Sequence, residues 1–568
     1  MPAMAPPPTI FGGNLSEPKG GPVNTHLTQL SRGLCITLVV IALGALAACG
    51  GVGDDRPRVD TQHGTVIGVD RAEMQSFFAI PFAAPPTGER RWQPPADPAS
   101  WPVPRAAEAS AAPCLQTRAS PFRLQNDSED CLYLDVHRPA GGGIDLPVLV
   151  WFHGGAFNTG GSITWADPSP MVRNGVIVVN VAYRLGAMGF LGHPALESTG
   201  GQVGNYGIMD QQAALRWIRA NIAGFGGDRN NVTIFGESAG GFSVMTHLAS
   251  PLSAGLFDKA IVMSGNYSDT QPTAALLRSV STVIVDNALL AAGITCPGGT
   301  VTAQCLRGLP ESVVRNQLAV AFNQRLSSPV PAVDGVILPK SVRQAFVDGD
   351  NHRVPVINGT TLDEWSLFVA IRELGQPPLA NTQAAFEAYV GATFGNLAWA
   401  AAYPISDFGG NSSLAATALG TALVFSCRAL RATQRMANQV PAQPVFLYEF
   451  RDRTALPSIS ARTDGTPISF AQGAGHSYEL QYLFNLRPLA NDEQRALQTA
   501  MATYWTNFAR TGNPNLGRSV PAAWPQFAGT GPTSVLGLDV ASRGGVATLA
   551  TPFETTHRCN STWAFIAF

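Results

Sequence analysis

Charged residues are scarce in this chain of 568 residues, and neither sign dominates. They make up 13% of the sequence, and 37 lysines and arginines against 39 aspartates and glutamates leave a net charge of −2. The chain has no basic stripe that could follow a phosphate backbone, so we expect no nucleic-acid partner. Hydrophobic residues reach 45%, which is enough for a large buried core.

The N-terminal apolar run is too short to be a good spanning helix. Residues 33–48 (GLCITLVVIALGALAA) carry no charge, but they number fewer than the roughly 20 residues that a bilayer requires. The run ends in small residues, which predicts a leader and signal peptide over residues 1–48. The long polar stretch before the run leaves open a start downstream of Met1.

The position of Cys49 extends this interpretation. It follows residues 46–48 (LAA) in a pattern that resembles the bacterial lipobox, in which the cysteine is lipidated and becomes the new N-terminus. We therefore expect a lipid-anchored protein that faces the periplasm or the cell surface, with residues 49–60 as anchor and tether. The alternative is an ordinary signal cleaved after residues 45–47, which would give a periplasmic or secreted protein.

Cysteines are few, and no spacing among them is typical of a zinc site. Six remain after the signal and the lipid site are set aside, and an even set in an exported chain favours disulfides. Cys296 and Cys305 bracket a short Pro/Gly loop and are expected to pair locally. The sequence alone leaves the connectivity of the full set open: Cys114, Cys131, Cys296, Cys305, Cys427 and Cys559.

No internal repeat or long linker divides residues 61–568, so we predict a single domain there. Apolar and β-branched runs alternate with segments of helical periodicity, which indicates an α/β fold with a mainly parallel sheet covered on both faces. Residues 271–345 carry no strand signal and are predicted to be an inserted cap. The predicted strands are 132–136, 147–152, 176–183, 232–235, 259–263, 354–357 and 445–450, and a helix is predicted over 207–223.

Residues 236–240 (GESAG) form the most informative motif. They follow the apolar run 232–235 and precede a helical segment, so they read as a nucleophile elbow that exposes the Ser238 hydroxyl above a sheet. A chance Gly-x-Ser-x-Gly is a real alternative in a chain with 58 glycines. The strand–turn–helix context argues against that alternative.

Serine needs a base, and the base needs an acid to orient it. Among only nine histidines, His476 stands out because residues 473–477 (GAGHS) display it on a loop of small residues. Asp363 and Glu364 follow the predicted strand 354–357, where an α/β site collects its residues. The order serine, acid, histidine is that of nucleophile-elbow hydrolases, but spacing alone does not separate Asp363 from Glu364.

A tetrahedral intermediate needs N–H donors for its oxyanion. Residues 153–156 (HGGA) follow the predicted strand 147–152 and present bare backbone, and the N–H of Ala239 at the start of the elbow helix adds a further donor. We interpret His153 as a residue that orients this loop.

With these residues in place, the chain resembles the type B carboxylesterases, a family that includes cholinesterases and bacterial esterases of the p-nitrobenzyl-esterase kind. The resemblance covers about residues 61–568 and implies an α/β-hydrolase fold with large loop and helical insertions. The motifs that carry it are 128–134 (SEDCLYL), 183–186 (YRLG), 189–191 (GFL), 205–207 (NYG), 225–228 (FGGD) and the elbow itself.

The resemblance also implies roles for individual residues. Ser238 would be the nucleophile, His476 the base, and Glu364 rather than Asp363 the acid. The oxyanion hole would be formed by the N–H groups of Gly155, Ala156 and Ala239, where Ala156 replaces a third glycine found in many members. The implied disulfides are Cys114–Cys131, Cys296–Cys305 and Cys427–Cys559, and the implied structural ion pair joins Arg91 to Glu129.

The expected activity is hydrolysis of a small-molecule carboxylic ester through an acyl-enzyme, without a metal or an organic cofactor. Residues 115–130 contain no tryptophan, which argues against a choline substrate, since cholinesterases place a choline-binding tryptophan there. An acyltransferase using the same acyl-enzyme and a non-catalytic binding module are the alternatives. The sequence leaves open the physiological ester, the acyl-chain preference and the oligomeric state.

Overall fold

A computed structural model describes residues 55–565 except 117–119, 199–200, 267–270, 326–328 and 530–533. The predicted leader at residues 1–48 and the predicted lipid site at Cys49 lie outside the described residues. The contacts of the chain gather Arg56–Phe568 into one compact unit.

Eleven strands of the described chain form one large sheet in the order β14-β13-β12-β11-β10-β9-β7-β8-β6-β4-β3, and three short strands form a second sheet in the order β1-β2-β5. The seven neighbouring strands from β13 to β8 run parallel, while both edges are antiparallel. The strands are β1 (Arg58–Thr61), β2 (Gly64–Ile67), β3 (Val69–Asp70), β4 (Met74–Pro81), β5 (Arg105–Ala106), β6 (Tyr133–Pro139), β7 (Leu146–Phe152), β8 (Ile177–Val181), β9 (Gly227–Glu237), β10 (Lys259–Met263), β11 (Val356–Thr361), β12 (Val445–Phe450), β13 (Val535–Leu538) and β14 (Ala547–Thr548).

Helices cover the sheet, and the described part of region 271–345 is mainly helical, with an isolated bridge between Thr273 and Val333. The α-helices are α1 (Ser169–Val172), α2 (Gly186–Phe190), α3 (Tyr206–Asn221), α4 (Ala239–Ala249), α5 (Ala274–Ala292), α6 (Ala303–Arg307), α7 (Glu311–Val313), α8 (Ala319–Arg325), α9 (Val342–Asp348), α10 (Ser366–Glu373), α11 (Gln383–Phe394), α12 (Ser412–Gly420), α13 (Cys427–Ala437), α14 (Leu480–Phe484), α15 (Asp492–Thr511) and α16 (Phe553–Thr556). Two π-helical segments, Val314–Leu318 and Thr421–Ser426, join α7 to α8 and α12 to α13. The 3₁₀ turns are Gly88–Arg90, Ser162–Trp165, Pro194–Leu196, Ile222–Phe225, Pro251–Ser253, Pro297–Gly299, Leu397–Ala402, Ile405–Phe408 and Ala541–Arg543.

The central strands are buried on both faces, which explains their continuous apolar sequences. In β7, Val148 and Phe152 pack into the core on one side of the sheet, while Leu149 and Trp151 pack into the core on the other side. A third core lies among α10, α11, α12 and the C-terminal segment. The prediction of a mostly parallel sheet flanked by helices is confirmed.

Four strands of the large sheet were not predicted: β3 and β14, which have two residues each, and β4 and β13. β4 contains a register shift between Phe77 and Ile80 and ends in a proline, so its polar–apolar alternation is broken. β13 has only four residues, one of them Gly537, and is a strand because β12 pairs with it. Neither β4 nor β13 carries a periodic signal of its own.

Three disulfides join the pairs that the family resemblance implied: Cys114–Cys131, Cys296–Cys305 and Cys427–Cys559. The set is typical of an exported protein. The ion pair between Arg91 and Glu129 is also present, since the guanidinium donates to both carboxylate oxygens at 2.6 and 2.7 Å. Both of its partners are buried.

Candidate active site

Ser238 sits between the end of β9 and the start of α4 in a strained conformation, with φ 55° and ψ −122°. Such a conformation is rare for a residue with a side chain and is held by its surroundings. A Cβ on Gly240 would overlap the carbonyl oxygen of Phe152 in the neighbouring strand, and a Cβ on Gly236 would lie 2.5 Å from the backbone of Gly240. Only glycine fits at these two positions.

Glu364 and His476 meet in the structure. Oε2 of Glu364 lies 2.5 Å from Nδ1 of His476. The other oxygen, Oε1, accepts from the Thr361 N–H at 2.8 Å and from the Ser264 hydroxyl at 2.6 Å. Glu364 is fully buried, and both of its oxygens form hydrogen bonds. It can therefore hold the imidazole with a proton on Nδ1, so that Nε2 is the nitrogen that exchanges a proton with the substrate or the serine.

Asp363 has a different environment, so the structure separates the two carboxylates that spacing did not. Its side chain receives two hydrogen bonds from Arg453, at 2.8 and 2.9 Å. It also accepts from the N–H of Ala474 at 2.9 Å, and its own N–H donates to the Ala474 carbonyl at 2.9 Å. Asp363 therefore holds the loop that carries His476 without touching the imidazole.

Among the described residues, Ser238 and His476 are not hydrogen-bonded to each other. Nε2 of His476 is buried without a hydrogen-bond partner and lies 3.1 Å from Oε1 of Glu237. Catalytic hydrogen bonds are commonly long or misaligned before substrate binds. Glu237 was not singled out from the sequence, and the only local signal for it is its place beside the nucleophile in the GESAG motif.

Buried carboxyl groups surround the imidazole and shift its protonation. Burial raises the pKa of Glu237 to about 7. Burial alone would lower the pKa of His476, but the charges of Glu237 and Glu364 outweigh it and raise that pKa from 6.5 to about 9. Burial, together with the neighbouring carboxylates, raises the pKa of Glu479 well above its ordinary value. The cluster therefore retains protons at neutral pH, and its members titrate together.

The predicted oxyanion loop has an unusual backbone. Gly155, Ala156 and Phe157 have φ values of 111°, 54° and 56°, and a Cβ on Gly155 would overlap the carbonyl oxygen of Thr159. The N–H groups of Gly155, Ala156 and Ala239 form no hydrogen bond within the described chain. These three N–H groups can donate hydrogen bonds to an oxyanion that forms at the nucleophile.

Aromatic packing fixes this loop from behind. The His153 ring stacks on Tyr183 at a centroid distance of 4.5 Å, and the Tyr183 hydroxyl donates to the His153 carbonyl at 2.6 Å. Burial lowers the pKa of His153 to about 4, so it is neutral at physiological pH. This contact agrees with the interpretation of His153 as a residue that orients the loop.

Two phenylalanines flank the His476 ring, and sequence reasoning missed both. The Phe368 centroid lies 5.3 Å from the imidazole centroid and the Phe425 centroid lies 5.0 Å from it. Phe425 belongs to the π-helical segment Thr421–Ser426, and π-helical turns are frequent at functional sites. No periodicity in the sequence distinguishes these rings from ordinary core residues.

In the described part of the chain, no group of three or more His, Cys, Asp or Glu residues is positioned to hold a metal ion. The site combines a strained serine, a buried histidine–carboxylate pair and free N–H donors. These are the groups that acyl transfer through a serine requires.

Comparison with known proteins places the chain among esterases. The model of the carboxylesterase family matches residues 55–551. The chain is 32% identical to fumonisin B1 esterase of Sphingopyxis macrogoltabida, over 91% of this chain and 94% of that protein. It is also 32% identical to para-nitrobenzyl esterase of Bacillus subtilis, over 83% and 92% respectively. A solved structure of PNB esterase superimposes with a TM-score of 0.67 at 31% identity, covering 87% of this chain and 97% of that one.

Proposed function

The chain belongs to the carboxylesterase family and is a carboxylic ester hydrolase with an α/β-hydrolase fold, and on this basis we propose that it works through a Ser238–His476–Glu364 triad and an acyl-enzyme. The observation that carries the proposal is the 2.5 Å contact between Glu364 and His476 Nδ1 beside a serine held at φ 55°.

In the proposed reaction, the Ser238 oxygen attacks the carbonyl carbon of the ester while His476 Nε2 takes the hydroxyl proton. Glu364 holds Nδ1–H and stabilises the imidazolium that forms. The N–H groups of Gly155, Ala156 and Ala239 stabilise the oxyanion. His476 then gives its proton to the leaving alcohol, and a water molecule repeats the cycle on the acyl-enzyme and releases the carboxylic acid.

The first test measures turnover of p-nitrophenyl acetate, butyrate, octanoate and laurate by the full chain and by Ser238→Ala. We expect the variant to lose turnover by a factor of about 10³ or more while its thermal unfolding is unchanged. Ser542→Ala is the matched control, because Ser542 is an exposed serine whose hydroxyl donates to Glu493. The chain-length profile measures the acyl group that the site prefers.

A serine-directed phosphonate gives an independent readout. It should add to Ser238 of the folded wild-type chain, and the adduct should be absent from Ser238→Ala. Turnover that persists in Ser238→Ala would contradict the nucleophile assignment. Well-folded protein that neither hydrolyses an ester nor accepts the phosphonate would contradict an acyl-enzyme.

We also propose that Cys49 is lipidated and that the catalytic domain is tethered to a membrane. Support comes from the apolar run at residues 33–48, the small residues before Cys49 and the disulfides of an exported chain. In a bacterial host, the wild-type protein should partition into Triton X-114 and Cys49→Ser should not. A mature N-terminus at residue 48 without lipid would support simple cleavage instead.

A further inference from the structure

A cavity of about 590 Å³ lies between α10 and α11. Its size falls within the range of sites that bind small molecules. None of the proposed triad residues or oxyanion donors lines it, so it is not the space in which the ester carbonyl would sit. The helices that form it meet at the loop 374–382.

Most of the wall is apolar. The Trp365 and Phe368 rings stack at a centroid distance of 4.5 Å, and Trp365 Nε1 donates to the Tyr389 hydroxyl at 2.8 Å, which fixes the aromatic surface. α11 contributes only small side chains beside Tyr389, including Ala388 and Ala392. An aliphatic chain can therefore lie against the aromatic rings without displacing a large side chain.

One charge faces this apolar space. Arg372 is the single charged residue of the lining. One of its guanidinium nitrogens donates to the Pro377 carbonyl at 2.6 Å, and no carboxylate of the described chain forms a salt bridge with it. A guanidinium has five N–H donors arranged to meet a carboxylate, so Arg372 keeps donors available for an anionic group.

The cavity is next to the proposed base. Phe368 lines the cavity and also contacts the His476 ring, at a centroid distance of 5.3 Å. A ligand held against Phe368 would thus be one aromatic ring away from the imidazole. We propose that this cavity binds a carboxylate amphiphile, a molecule with an aliphatic body and one carboxylate, and that the carboxylate pairs with Arg372.

Binding can be measured apart from catalysis, so the proposal does not depend on the triad. The probe is decanoate, titrated by calorimetry into the full-length Ser238→Ala protein. We expect one decanoate per chain. Adding Arg372→Gln should weaken decanoate binding by about 10-fold or more, since a charge-assisted hydrogen bond is lost, but should leave the binding of decanol unchanged.

A second variant tests the cavity itself. Ala388 is exposed on α11, so Ala388→Trp should be tolerated by the fold and should fill the space and abolish binding of both probes. The control is Arg495→Gln, which removes an exposed guanidinium on α15 and should change neither. No decanoate binding, or binding that survives Ala388→Trp in a protein with normal thermal unfolding, would overturn the proposal. Equal loss of decanoate and decanol in Arg372→Gln would overturn the carboxylate assignment.

Discussion

Replacing Glu237 with glutamine should move the acid limb of the pH–rate profile to lower pH. The proposed base must be neutral to accept the serine proton, and the carboxylate of Glu237 lies 3.1 Å from His476 Nε2. A nearby negative charge stabilises the imidazolium and so raises the pKa of His476, which stands at about 9. Removing that charge lowers the pKa, and a lower pH is then needed to protonate and silence the base.

The separation of the two groups sets the size of the shift. Two unit charges 3.1 Å apart attract by about 1.3 kcal/mol in a water-like dielectric and by about 5 kcal/mol at an effective dielectric constant near 20. A change of about 1.4 kcal/mol corresponds to one pKa unit. Because Glu237 has a pKa of about 7 and is ionised at the pH of the limb, near 9, its charge acts on His476 there, and we expect the limb to move down by at least about one pH unit.

The assay is kcat/KM for p-nitrophenyl butyrate from about pH 5 to about pH 9.5, followed at the isosbestic wavelength of the product, because the acid limb of this ratio reports the free enzyme. Glu237→Asp is the matched control, since it keeps the charge and should keep a raised limb. Glu479→Gln should shift the limb less, because the charge of Glu479 contributes less to the raised pKa of His476 than the charges of Glu237 and Glu364 do. An acid limb of Glu237→Gln that superimposes on that of the wild type would refute this electrostatic account.

Three further predictions concern the acid, the oxyanion loop and the disulfides. Glu364→Ala should lower kcat by about 10⁴-fold. Asp363→Ala should lower kcat by only about 10-fold, because it removes the contacts with Ala474 and Arg453 that hold the loop but leaves the carboxylate that contacts the imidazole. The reverse order in steady-state kinetics would mean that Asp363 is the acid. Gly155→Ala should lower kcat by about 10²–10³-fold with little change in KM, because the alanine Cβ would overlap Thr159 and shift the N–H donors of the loop. An unchanged kcat would contradict the assignment of Gly155 to the oxyanion hole. Replacing both Cys427 and Cys559 by alanine opens a loop of 132 residues and should lower the free energy of unfolding by about 5 kcal/mol through chain entropy. Replacing both Cys296 and Cys305 opens a 9-residue loop and should lower it by about 3 kcal/mol. Equal falls in the midpoint of thermal unfolding would show that loop entropy does not set the difference.

The parts of the molecule that sequence predicted are those with a local or periodic signal. β7 is a continuous apolar run because it is buried on both faces. The elbow can be recognised from the sequence because steric crowding requires glycine at positions 236 and 240. The parts that were missed depend on contacts between distant segments. Phe425 reaches His476 through a π-helical turn, and β13 is a strand only because β12 lies beside it.

The choice between Asp363 and Glu364 shows the same limit at the scale of one residue. The two carboxylates are adjacent in sequence and leave the same strand, so their spacing from Ser238 and His476 is equivalent. Their side chains separate because one meets Arg453 and the other meets Thr361, Ser264 and His476. The family resemblance implied Glu364, whereas the residues alone gave no physical reason for the preference.

Backbone hydrogen bonds between neighbouring parallel strands determine how closely the proposed groups are spaced. Beyond the ends of the strands, Ser238 N–H donates to the Met263 carbonyl and Ser264 N–H donates to the Gly359 carbonyl, each at 2.9 Å. The backbones of Ser238 and Ser264 therefore continue the hydrogen bonding of the sheet, and the Ser264 hydroxyl connects it to Glu364. Packing of the whole sheet opposes any change in the spacing of these groups.

His476 is the exception, because it arrives on a loop. Its position depends on the hydrogen bonds between Asp363 and Ala474, on its contact with Glu364 and on the two phenylalanines that flank its ring. The histidine is thus the member of the proposed triad whose position can change without disturbing the sheet. Since its Nε2 lies 3.1 Å from Oε1 of Glu237 and has no hydrogen-bond partner, the proposed proton transfer would require the imidazole to move toward Ser238.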